Sequence, residues 1–287
     1  MTKSVTQAVE ELVRATVHLS DEDMGREWKW GVYDEEGLRF ALLMTHHELR
    51  DLAVRLATRA RTQPSQAQRI LAQYHQTYRD LTGVLAGVRT EDLDRAPAEG
   101  EWPLRETIGH ALGAEHGFLA VNRFALVHHR AGKHEEPPEE EWPVFRKDYA
   151  APKDAVDGTI ENIRNAFFAI HRRVLTELDD VTDAELEQPA WFWDGAMPIR
   201  FRLHRFEEHL RQHTIQLDKT LAAIRPPTEA HRLVRIVYNA LADVESSDEP
   251  AEDVRTKTAA TISERAAAIS QLAGLSSSGA SGQSSSA

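Results

Sequence analysis

Cysteine is missing altogether from the 287 residues. Its absence removes disulfides, zinc-thiolate sites and a cysteine nucleophile together, so any metal held by this chain must rest on His, Asp or Glu. No apolar run approaches the length needed to span a membrane, and the first residues, Met1 to Glu11, lack the apolar centre of a signal peptide. Positive charge is in deficit: 34 Lys and Arg against 46 Asp and Glu leave a net charge of -12. Binders of the nucleic-acid backbone present a basic footprint, so the expectation is no nucleic acid and no membrane. No strand pattern competes anywhere in the chain. The expectation is therefore an all-α, cytoplasmic protein, and 41% hydrophobic residues over this length suffice for a substantial core.

What is present is a series of helical stripes. Val9, Leu12, Val13 and Val17 mark a first short helix, and Leu42, Leu49, Leu52 and Leu56 a second over residues 38–61. Ile70, Leu71, Leu81, Val84 and Leu85 follow Pro64, and Pro103 stands at a natural first helical position for a helix reaching about Arg130. Ile160, Ile163, Phe167, Ile170, Val174 and Leu178 mark the next. Beyond Pro226-Pro227, residues 228–244 and 252–272 read as two more helices. Residues 132–152, rich in Glu and Pro and carrying Trp142 and Tyr149, show no period; a connection this long implies a crossover, a lid or a disordered insert. Ser276 to Ala287 holds almost only Ser, Gly and Ala, too little apolar material to fold. The domain division expected is thus 1–62 as N-terminal accessory helices, 63–225 as a main bundle, 226–274 as C-terminal accessory helices and 275–287 as a disordered tail.

One phrase recurs three times. Ser20-Asp-Glu-Asp-Met24, Thr90-Glu-Asp-Leu-Asp94 and Thr182-Asp-Ala-Glu-Leu186 each precede an aromatic loop, and a helix then starts on Leu38-Arg39, Leu104-Arg105 or Ile199-Arg200. An internal repeat accounts for this, and so does capping chemistry shared by unrelated helical hairpins. In the first copy Met44 occupies the place that His110 holds in the second.

Among 14 histidines, His209 and His213 stand out. Four residues apart on one helix, they stack on one face and form half of a metal site. His110 shares its flank with Ala114, Gly117 and Val121, small neighbours that leave room beside an imidazole. The apolar stripe of its helix points elsewhere, so a metal ligand and a solvated or core-edge histidine remain open readings. His204 and His116 are out of phase with these residues. His128, His129 and His134 flank the long loop and read as solvated. His75 and His171 read as core-edge residues, and Glu208 and Glu115 as solvated or supporting groups.

Trp102-Pro-Leu-Arg-Glu-Thr-Ile-Gly-His110 resembles the Trp-x-x-Arg-Glu-x-x-x-His segment of the DinB-like metal-binding four-helix bundles. Glu208-His-Leu-Arg-Gln-His213, followed by Gln216, resembles the closing Glu-His-x-x-x-His helix of that superfamily. The resemblance covers roughly residues 66–225. It implies a four-helix bundle with an additional helical layer from both termini. It also implies a divalent metal on His110, His209 and His213, with zinc first and nickel, manganese or iron as substitutes. The implied activity is thiol-dependent S-transfer or isomerisation of a small molecule with a low-molecular-weight thiol, and a homodimer is compatible with it. Alternatives are a metal-dependent hydrolase and a non-catalytic helical scaffold with a structural or vestigial metal. No catalytic residue beyond the ligands is marked.

Overall fold

The computed structural model describes residues 3–29, 36–152, 154–192 and 195–279. Its helices are α1 (Val5–Thr16), α2 (Asp21–Met24), α3 (Arg39–Arg59), α4 (Gln66–Ala86), α5 (Leu104–Arg130), α6 (Glu141–Arg146), α7 (Ile160–Leu178), α8 (Ile199–Ile224), α9 (Glu229–Glu245) and α10 (Glu252–Gly279). The chain divides into two units. One comprises Met1–Arg61, Thr82–Gly87 and Pro227–Ala287, the other Thr62–Leu81 and Val88–Pro226.

The first unit gathers both ends of the chain. Ser4 and Gln7 form a reciprocal capping box that starts α1. The α1 stripe of Val5, Val9, Leu12 and Val13 is buried where α1 packs on α10, and α3 packs on α9 in the same way. Their side chains join one apolar cluster with Val234, Val237, Leu241, Ile262 and Ile269. Each fully buried Leu or Ile of this set contributes about 1.5–3 kcal/mol. Within the cluster Arg265 is fully enclosed and donates to both carboxylate oxygens of Glu48, at 3.0 and 2.9 Å. The last turn of α4 also belongs here: a Cβ on Gly83 would stand 2.8 Å from Arg235 Cα, so glycine lets α4 and α9 touch backbone to backbone.

The second unit is the four-helix bundle of α4, α5, α7 and α8. Tyr74 from α4, Ile108 and Leu119 from α5, Phe167 and Val174 from α7, and Phe206 and Leu217 from α8 are all buried. Helices α5 and α8 run antiparallel, with the Phe118 and Phe206 rings in edge contact at 5.7 Å. Helices α5 and α7 start at the same end, where Arg105 donates to the Gly158 carbonyl at 3.1 Å. Residues 131–159 must therefore travel back along α5. Contrary to the expectation of an irregular connection, they form α6 and a short 3₁₀ turn, Lys147–Tyr149. Phe124 of α5 meets Trp142 at 5.5 Å and Phe145 at 5.1 Å, so aromatic burial folds this segment where no helical period shows.

Two further differences from the sequence expectation concern short elements. Pro189–Phe192 (β1) and Gly195–Pro198 (β2) pair antiparallel, Pro189 opposite Pro198 and Phe192 opposite Gly195. Four residues are too few for alternation to register, and Gly195 supplies the positive φ of 82° at the turn. Helix α10 continues to Gly279, past Leu272, since extending an existing helix costs far less than starting one. The remainder of the expected tail, 280–287, lies outside the described residues.

The recurring phrase has a structural counterpart in all three copies. Asp21 accepts from the Glu229 amide at the start of α9, and Arg39 donates to Glu229. Asp183 accepts from the Gln66 amide at the start of α4, and Arg200 donates to the Gln66 side chain. Thr90 accepts from the Ile160 amide at the start of α7, and Arg105 reaches the Gly158 carbonyl just before it. Each turn thus caps a helix distant in sequence, and the arginine opening the next helix ties the same end.

Candidate metal centre

Helix α8 presents His209 and His213 on successive turns toward α5, and both are buried. Their Nε2 atoms lie 3.2 Å apart. His110, on the second turn of α5 and exposed, completes the group, with ring centroids 5.2 Å from His209 and 4.7 Å from His213. One nitrogen from each imidazole lies within 4.8 Å of the other two. Tetrahedral Zn–N bonds of about 2.0–2.1 Å separate ligand nitrogens by roughly 3.3 Å. The His209–His213 pair therefore already stands at ligand spacing.

The protonation states suit a cation. Burial first, then the neighbouring His213, His110 and Arg205, hold His209 down to about 4. Burial also lowers His213, with its bond to Gln216 opposing. In that bond His213 Nδ1–H donates to the Gln216 carboxamide oxygen at 2.9 Å. The proton is thereby fixed on Nδ1, and Nε2 keeps its lone pair. Two imidazole lone pairs facing each other at 3.2 Å repel unless a proton or a metal ion lies between them. The donor set fits a divalent ion that accepts nitrogen ligands.

Around the cluster the walls differ. Trp102 tilts over His110 at 5.6 Å, and Phe118 meets His209 edge-on at 5.3 Å. On the outer side of α5, a Cβ at Gly113 or Gly117 would find no atom within 4 Å. Room is therefore left next to the exposed imidazole.

The other histidines go elsewhere. His204 is outside the cluster, and His116 bonds the Tyr149 carbonyl at 3.0 Å, holding the crossover to α5. His75 and His171 are buried and bond each other at 2.9 Å. Contrary to a solvated reading, His128 is buried, 3.0 Å from a Glu141 carboxylate oxygen. His129 and His134 remain near the surface, His129 bonding the Pro189 carbonyl. Glu208 is exposed and pairs with Arg205. Glu115 is not solvated: fully buried, it accepts from Tyr74 Oη, while its Oε1 has no hydrogen-bond partner among the described residues. Arg205 stands one turn before His209 on α8 and is half-buried.

A family comparison matches residues 73–217 to the DinB superfamily, a span that includes all three histidines and just over half of the chain. This chain belongs to the DinB superfamily. Neither the curated proteins nor the solved structures yield a match. Among the described residues no helix is long and apolar enough to cross a membrane.

Proposed function

We propose that this is a cytoplasmic, divalent-metal-dependent enzyme that transfers a low-molecular-weight thiol to a small electrophile or uses such a thiol in isomerisation. The observation that carries the reading is the convergence of three imidazoles, two buried and one exposed, beside open space on α5. Zinc is the ion proposed for His110, His209 and His213. A divalent ion held there supplies Lewis acidity, lowering the pKa of a bound thiol or water. The chain's own residues supply the rest. Gln216 holds the tautomer of His213, Phe118 shields the flank of His209, and Gly113 and Gly117 leave the approach clear. With no cysteine in the chain, the thiol arrives as a cosubstrate.

The test combines metal analysis with turnover. Protein purified without added metal is analysed for zinc, nickel, manganese and iron, then assayed with a thiol panel and a chromogenic electrophile. His209→Ala and His213→Ala are expected to lose metal and activity with helicity retained, while His204→Ala stays near wild type. Metal retention with rates at the thiol-only background throughout the panel would establish a scaffold instead. Thiol-independent turnover would assign hydrolysis.

A further inference from the structure

Arg205 lies one turn before His209 on α8, at the outer edge of the seam with α5. Its guanidinium carbon stands 5.7 Å from the centroid of Phe118, the ring that itself touches His209. Phe118 therefore lies between Arg205 and His209. His110 stands 5.2 Å from His209, with open positions at Gly113 and Gly117 on its own helix. Arg205 is half-buried, and among the described residues it pairs at 2.9 Å with Glu208, which is 65% exposed. Such a solvent-screened pair contributes little and is readily exchanged. The guanidinium is a planar fork suited to a carboxylate.

The distance defines the ligand. The guanidinium carbon is 5.7 Å from the Phe118 ring and that ring is 5.3 Å from His209, so a small molecule lying along Phe118 reaches both Arg205 and the imidazoles. Resting on the metal-site reading above, we propose that Arg205 binds the carboxylate of a small substrate or cosubstrate whose other end occupies the three-histidine centre. The class of ligand is then a short carboxylic acid that also carries a metal-seeking group such as a thiol. Phe118 and the glycines bring no competing side-chain donor to the span between the two ends.

The experiment uses full-length protein loaded with cobalt, whose visible spectrum reports ligands entering the site without turnover. It is titrated with 3-mercaptopropionate and with its methyl ester. Wild type is expected to bind the free acid at least about tenfold more tightly, the effect of one charge-assisted, bidentate contact. Arg205→Gln should take up cobalt as wild type does and bind acid and ester alike. The result that overturns the inference is equal affinity for acid and ester in wild type, or undiminished preference in Arg205→Gln. Failure to take up cobalt would instead overturn the reading of the centre, and this inference with it. The wild-type comparison keeps the test decisive should the variant fold poorly.

Discussion

At Glu115 the bundle core holds a carboxyl group with no cation beside it among the described residues. Burial raises its pKa from 4.5 to about 8, against the hydrogen bond from Tyr74, so at neutral pH the side chain is largely the neutral acid. A folded-state value above the unfolded one means that the folded protein binds the extra proton. The resulting stability is fully present below about pH 4.5 and is lost as pH rises through about 8. The displacement amounts to on the order of 5 kcal/mol. Glu115→Gln, which still accepts from Tyr74, is expected to flatten the wild-type decline over that range; urea unfolding at pH 5, 7 and 9 checks it, and an unchanged slope refutes it. His209 carries the opposite sign in metal-free protein. Its value is lowered to about 4, so its contribution is present above the ordinary histidine value near 6.5 and is lost as pH falls toward 4. Metal-free His209→Ala should accordingly lose less stability than wild type between pH 7 and 4, measured by the same unfolding series.

The helices are held at their ends by polar ties as well as along their stripes. Asp92, buried in the turn before α5, accepts from Arg225 at the end of α8 at 2.6 Å and from Arg95 at 3.2 Å. Burial would raise its pKa, but the Arg225 bonds, the Arg89 amide and Arg95 outweigh it, and the net displacement is downward. Removing Asp92 loses charge-assisted hydrogen bonds to both arginines. Asp92→Ala is therefore expected to destabilise the second unit by about 1.5 kcal/mol, because the partly exposed arginines left behind regain water; this is read as a fall in urea midpoint, and a change under about 0.5 kcal/mol would make the tie ornamental. The recurring turns belong to the same scale. Their side chains were legible as caps, but not the helices they serve: Asp21 bonds the amide of Glu229 and Asp183 that of Gln66, across more than a hundred residues. Local capping explains the shared phrase only in part, since each copy closes a junction between distant segments.

At the scale of the molecule, the ends of the chain make a unit together, and α1 and α3 cover the apolar faces of α10 and α9. Deleting residues 1–61 should uncover Val234, Val237, Leu241, Ile262 and Ile269. The expected result is an aggregating or rapidly proteolysed product, with tryptic cuts inside α9 and α10; a soluble, protease-resistant fragment would show that these helices need no N-terminal partner. The sequence by itself determined the helical class, because stripes at three- and four-residue steps can bury only as helices. It determined the His209–His213 pair as well, since i,i+4 spacing brings two side chains together on any helix. The place of His110 needed the tertiary structure, because its own stripe points elsewhere and only the antiparallel seam with α8 turns its flank toward the pair. The burial of Glu115 and His128, the folding of residues 131–159 along α5, and the nearness of Arg205 to Phe118 likewise come from neighbours remote in the chain. Periodicity reports which face of a helix is apolar; which polar groups on the other faces are enclosed is decided by the helix that packs there.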